Sequence, residues 1–175
     1  MIGMGKGMAE GKVDRGAYFS PCRAYRYKLW RTWDSTKPKV MFLMLNPSTA
    51  DETHNDPTVE RCERRARSMG FGGLVVCNIF AYRATDPQAM KSVVEPVGSE
   101  NDQVISALAE DVAQIVCAWG NHGQHLKRST YMRKLLKKHS RKLKVLKLAK
   151  TGEPVHPLYQ PYALLPSDWL IEDET

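Results

Sequence analysis

What the 175-residue chain lacks narrows its class first. No apolar run approaches the roughly 18–20 residues that a membrane-crossing helix needs, which excludes a helical membrane span. The opening MIGMGKGMAEGK is glycine-rich without an apolar centre, so it does not read as a signal peptide, and residues 1–16 are expected as a flexible tail. Cys22, Cys62, Cys77 and Cys117 include no C-x-x-C pair. No zinc or iron–sulfur site and no cofactor are therefore expected, and reduced thiols fit a cytoplasmic location. The G-x-x-x-x-G-K-[ST] loop is missing, which removes the P-loop NTPases. With no internal repeat, residues 17–175 read as a single domain.

What is present is ordinary for a globular core, with 42% hydrophobic and 26% charged residues. The net charge of +7 points to an anionic partner, either nucleic acid or an acidic membrane surface. The chain is organised around Lys39–Asp51. Val40 to Leu45 is unbroken hydrocarbon of strand length, as in a strand buried on both faces. It ends abruptly in Asn46-Pro47-Ser48-Thr49-Ala50-Asp51. Upstream, Tyr25, Tyr27, Leu29 and Arg31 alternate with Arg26, Lys28 and Trp30, which predicts an entry strand or hairpin on one sheet edge. A basic, aromatic surface for nucleic acid is the other reading of that stretch.

Downstream, Asp56-Pro57 reads as a helix cap and first turn, followed by Val59, Cys62, Ala66 and Met69 at helical spacing and Gly70 as the stop. The arginines of that helix read as solvated. Leu74–Tyr82 predicts a second strand, interrupted by Asn78. A turn at Thr85-Asp86-Pro87 leads into a short helical piece over 88–92. Ser99 with Asp102 resembles a capping box for a helix carrying Val104, Ile105, Leu108 and Val112. Gln114–Trp119 predicts a third strand, closed by Gly120-Asn121-His122-Gly123. A basic helix is expected over 124–139 with Leu126, Met132, Leu135 and Leu136 buried, then a fourth strand over 142–149. The acidic end, Glu172 to Glu174, is expected to fray. Strands alternating with helices predict an α/β fold of three layers, α/β/α, around a central four-stranded, mainly parallel sheet.

In such sheets ligands bind beyond the carboxyl ends of the strands. Asn46, Asn78, the turn after Trp119, and His156 fall at or near those ends. Asn78 inside an apolar strand needs a partner, with backbone the default. His156-Pro157 biases the histidine towards extended backbone, which suits presenting a ring into a cleft.

These motifs, in this order, resemble the uracil-DNA glycosylase superfamily, especially its mismatch-specific branch. Leu45-Asn46-Pro47-Ser48 is similar to the Gly-Ile-Asn-Pro-Gly loop of that branch, and Cys77-Asn78-Ile79-Phe80 to its base-reading strand. Ala118-Trp119-Gly120 matches a strand ending in Trp-Gly, and Val155-His156-Pro157-Leu158-Tyr159 a late His-Pro-Ser loop. Asn-Pro-Ser-Thr-Ala-Asp and His-Pro-Leu-Tyr also resemble strings of a small bacterial and phage family.

The resemblance implies a monofunctional DNA glycosylase that flips out a base, excises it and leaves an abasic site. In that role Asn46 orients water, with Asp51 a second candidate for activating it or a turn cap, and His156 donates to the departing base. Asn78 and Ser48 line the base site, Phe80 or Tyr82 stacks on the base, and Leu158 and Tyr159 wedge into the duplex. Arg83 and the basic helix, Lys127 and Arg128 included, hold phosphates; a solvated cationic face is the other reading of that helix. The partner is DNA, double-stranded with a flipped base or single-stranded, and the protein is expected to be a monomer. Ser48 and the Leu-Tyr after His156-Pro157 depart from the mismatch branch, which turns the substrate from uracil towards a modified base, such as hydroxymethylated or glucosylated cytosine in phage DNA. The alternatives are a non-catalytic nucleic-acid-binding module and an N-glycosidic hydrolase or transferase of free nucleosides or nucleotides.

Overall fold

Alternation along β3 (Lys39–Met44) places Met41 and Leu43 on one face and Val40, Phe42 and Met44 on the other, all buried. Burial on both faces is why the run has no polar positions. The computed structural model describes residues 12–171. Within them β3 is central to a seven-stranded sheet ordered β1-β2-β4-β3-β5-β6-β7. The other strands are β1 (Asp14–Phe19), β2 (Arg26–Thr32), β4 (Gly73–Asn78), β5 (Gln114–Cys117), β6 (Leu143–Val145) and β7 (Ser167–Asp168). The four expected strands form the parallel centre, β4-β3-β5-β6. An antiparallel β1–β2 hairpin covers the β4 edge and β7 pairs antiparallel with β6, so the sheet is larger and more mixed than expected.

Helix α1 (Pro57–Ser68) packs Val59, Cys62 and Ala66 against the Val40–Phe42–Met44 face. Asp56 caps it, accepting from Val59 N at 2.9 Å, with proline at the first helical position. The short α2 (Pro87–Lys91), α3 (Asn101–Asp111) and α4 (Arg128–Leu136) bury Met90, Ile105, Ala109, Met132 and Leu136 against the opposite face. The result is three layers with an apolar core on each side of the sheet. Each fully buried aliphatic or aromatic side chain there stabilises the fold by about 1.5–3 kcal/mol.

Several boundaries differ from expectation. Asp14 to Gly16, placed in the tail by sequence, begin β1, while residues 1–11 and the acidic Glu172–Glu174 end lie outside the described residues. The third helix starts after Glu100 rather than at Ser99, and no side chain caps it. The basic helix is three pieces: a 3-10 turn over 121–127, α4, and a 3-10 turn over 137–142. Left-handed backbone at Leu126 and Lys127 breaks the first junction and leaves Leu126 exposed rather than buried. The fourth strand stops at Val145, because the chain turns so that Leu148 bridges Pro154.

Candidate functional site

Pairing continues past the ends of the parallel strands. Ile79 N donates to Met44 O at 2.8 Å, Phe80 N to Leu45 O at 2.9 Å and Ala84 N to Pro47 O at 2.9 Å. The loops after β3 and β4 therefore run side by side. Asn46, half-buried, donates from Nδ2 to Ala84 O at 2.8 Å and to Pro47 O at 3.3 Å. A carbonyl only accepts, so these partners fix which end of the amide is nitrogen. Among the described residues nothing donates to Oδ1, which is the free end, an acceptor.

Asn78 closes β4 with 2% of its surface exposed, on the α1 face with Leu74 and Val76. Its Oδ1 accepts from Arg26 Nη2 at 3.2 Å. Arg26, also 2% exposed, donates a second bond to Ala50 O at 3.2 Å, and burial pulls its pKa down to about 10. Period-two reading of β2 puts Arg26 on the face of Lys28 and Trp30. The structure corrects this: Tyr18 pairs with Lys28 but Phe19 with Arg26, so Tyr27 is an extra residue and the bulge swings Arg26 towards Asn78. The β4 end is gripped further. Asn101 Nδ2 donates to Asn78 O at 2.8 Å and Ile79 O at 3.2 Å, and Arg128 Nε donates to Ile79 O at 2.7 Å.

His156 reaches the other side of β3. Gly120, just past β5, donates from its N to Pro154 O at 2.7 Å, which draws the 154–158 loop over the strand ends. Gly120 has φ +74°, and a Cβ there would sit 4.0 Å from His156 Cβ. Burial pushes the His156 pKa down to about 4 against the opposing attraction of Asp56. The ring is therefore neutral at neutral pH. Leu158 N donates to Nδ1 at 3.2 Å, so the single ring proton sits on Nε2. Asp56 ties this side to α1, accepting from Val59 N and, at 3.3 Å, from Ala50 N.

Asp51 is a turn cap: its Oδ1 accepts from Thr53 N at 3.0 Å and His54 N at 2.8 Å, which lowers its pKa to about 2. Arg31, wholly buried, holds the same loop through Asp51 O at 2.8 Å and Glu52 O at 3.2 Å. Ser48, Tyr82 and Arg83 line an open hollow of about 320 Å³ with Arg23, Ala24, Ala84 and Thr85, near the lower end of small-ligand sites, roughly 300–1,000 Å³. Ala84 is also the residue that anchors Asn46.

Other expected contacts are corrected. Phe80 is fully buried in the core opposite α1, 5.7 Å from the His125 ring, so no stacking face is open. Arg128 is 5% exposed and pairs with Asp102, so it is a core brace, not a phosphate ligand. The α1 arginines are not all solvated: Arg65 donates to Leu164 O at 2.8 Å and Pro161 O at 2.9 Å, and Arg61 to Gln160 O. Leu158 is half-buried, Lys127 is exposed, and Tyr159 is 88% exposed with φ 70°.

A family profile described as "Protein of unknown function (DUF1643)" matches residues 26–158. The chain belongs to the DUF1643 family. No curated protein and no solved structure matches it. The DUF1643 match runs from Arg26 to Leu158 and so spans Arg26, Asn46, Asp56, Asn78 and His156, while Tyr159 lies just outside. In sequence Arg26 is one member of a basic, aromatic strand stretch and Asp56 reads as a helix cap, and neither is marked as a neighbour of Asn78 or His156.

Proposed function

We propose that this chain is a monofunctional DNA glycosylase that flips out a base, a modified one, and excises it to leave an abasic site, on a fold similar to the uracil-DNA glycosylase superfamily. One observation carries the reading. Three polar side chains, Asn46 and Asn78 at the ends of β3 and β4 and His156 in the loop tied to the segment after β5, have their hydrogen-bonding senses fixed by single-sense partners: Asn46 offers an acceptor, Asn78 a donor and His156 a neutral Nε2–H donor. Base excision uses that set. Asn46 Oδ1 accepts a hydrogen bond from the attacking water and aims its oxygen at the anomeric carbon. It does not take the proton, and a dissociative transition state does not require it: the N-glycosidic bond breaks first with its electron pair leaving on the base, water adds to the sugar cation, and the surplus proton then passes to solvent or to the released base. His156 Nε2–H and Asn78 Nδ2–H meet the negative charge that the departing base gathers. A neutral imidazole fills this role, since with Nδ1 accepting from Leu158 N its Nε2–H is the donor. The surplus of positive charge and the exposed Tyr159 support a polymer substrate over a free nucleotide.

The test is a set of duplexes carrying cytosine, 5-hydroxymethylcytosine, glucosylated 5-hydroxymethylcytosine or uracil, treated with hot alkali after incubation to cut at abasic sites. Cleavage is expected with a modified base. Asn46→Ala and His156→Ala should each slow it by about 10²–10³-fold, the usual effect of removing one positioned polar group from a transition state. Undiminished cleavage by both variants would contradict the assignment. Salt-sensitive binding without base release would favour the non-catalytic module.

A further inference from the structure

We propose that Arg26 is a positioning residue: it locks the Asn78 amide with Nδ2 outward, so that the site accepts a base edge presenting a hydrogen-bond acceptor. The inference rests on the glycosylase reading and adds to it a positioning residue and a rule for the substrate edge. A guanidinium has five donors and no acceptor, so the atom facing Arg26 Nη2 at 3.2 Å is the amide oxygen. Among the described residues nothing accepts from Asn78 Nδ2, and that atom is not among the sealed, unpartnered ones. The backbone beneath it is fixed by Asn101 and Arg128, so neither the strand end nor the amide is free to turn.

Arg26 is poorly explained by packing alone. It is 2% exposed, no carboxylate lies within hydrogen-bonding distance among the described residues, and its Nε is buried without a partner. A buried charge so held is destabilising relative to a well-packed apolar side chain. The bulge at Tyr27 is what brings it to Asn78. Against a fixed Nδ2–H the atom met at position 3 or 4 of the base must be an acceptor, N3 of a cytosine or O4 of a uracil, and the ring N–H or exocyclic amine that the other base carries at that same position is rejected.

Duplexes identical except for one 5-hydroxymethylcytosine or one 5-hydroxymethyluracil test this, because the two bases exchange donor and acceptor at N3 and position 4. The wild type should separate them by at least about tenfold in kcat/KM. Arg26→Met should fold with an unchanged or raised thermal midpoint, yet bring the ratio close to one, since a free amide presents either end. Arg26→Lys, which keeps a donor, should restore part of the ratio. A purely structural Arg26 would lower both rates equally and leave the ratio intact, and that result overturns the proposal, as does a wild-type ratio near one. Nitrogen-15 spectra of the Arg26 guanidinium read the lock without activity: resolved Nη protons in the wild type that average in Asn78→Ala are expected, and averaged signals in the wild type overturn it. Should the wild type release neither base nor any other, the glycosylase reading fails, while these spectra still decide the lock.

Discussion

At the scale of single residues the site is a matter of which atom faces outward. Asn46 is held by carbonyls, Asn78 by a guanidinium and His156 by a backbone amide, and each partner has only one hydrogen-bonding sense. His156 also carries a pH prediction. Its folded pKa of about 4 lies below the ordinary 6.5, so below pH 6.5 the unfolded chain binds a proton that the folded one refuses. Stability contributed by His156 is therefore complete above pH 6.5, falls as pH drops towards 4, and levels off below. A fall from 6.5 to about 4, at about 1.4 kcal/mol per pH unit, amounts to about 3 kcal/mol. Denaturant unfolding at pH 7 and pH 4.5 should show much of that difference for the wild type and a smaller one for His156→Gln; equal differences would contradict the half-buried, neutral ring. Base release should likewise show no His156 titration between pH 5 and 8.

At the scale of elements, α1 clamps the loop that carries His156. Arg65 donates to the carbonyls of Gln160 at 3.2 Å, Pro161 and Leu164, and Tyr162 packs over Arg61 and Arg65 with guanidinium carbons 4.3 and 5.4 Å from the ring centre. Arg65→Met should raise hydrogen exchange across residues 157–164 and slow base release by roughly tenfold, since small misplacement of a positioned group is enough for that. Exchange in β3 and β4 should not change; if the 157–164 segment stays as protected as before, the clamp is not what holds it. Much of this scale is legible in the sequence, because the apolar runs of β3, β4 and β5 and the Asp56-Pro57 cap are local signals. What escapes is non-local. A single bulged residue, Tyr27, reverses the face of Arg26, and helical periodicity gives no hint that Arg61 and Arg65 answer carbonyls some 95–99 residues away. Phe80 reads as a stacking face from its place beside Asn78, yet it packs into the core opposite α1.

At the scale of the whole molecule, the net charge of +7 is less available than the composition implies. Arg26, Arg31, Arg65 and Arg128 are buried, and Arg64 and Arg67 pair with Glu60 and Glu63. The exposed cations without a carboxylate partner among the described residues include Lys127, Lys134, Lys147 and Lys150. Sequence shows the charge but not its distribution, since a buried arginine and a surface one look alike in a count. For DNA binding, log K should fall with log salt, and Lys147→Ala with Lys150→Ala should flatten the slope by about two, near 0.9 for each phosphate no longer neutralised. Fluorescence anisotropy between 50 and 200 mM salt, the range in which such charge pairing dominates, measures this; a slope the double variant leaves unchanged would remove those lysines from the interface. The central claim, that Asn46 and His156 act on one extruded base, is tested most directly by mass spectrometry of the small molecules freed from a duplex bearing a single glucosylated 5-hydroxymethylcytosine. The intact modified base should appear in solution with the wild type and drop about 100-fold or more with Asn46→Ala. No free base from that duplex, or from its uracil and 5-hydroxymethylcytosine counterparts, would contradict the account.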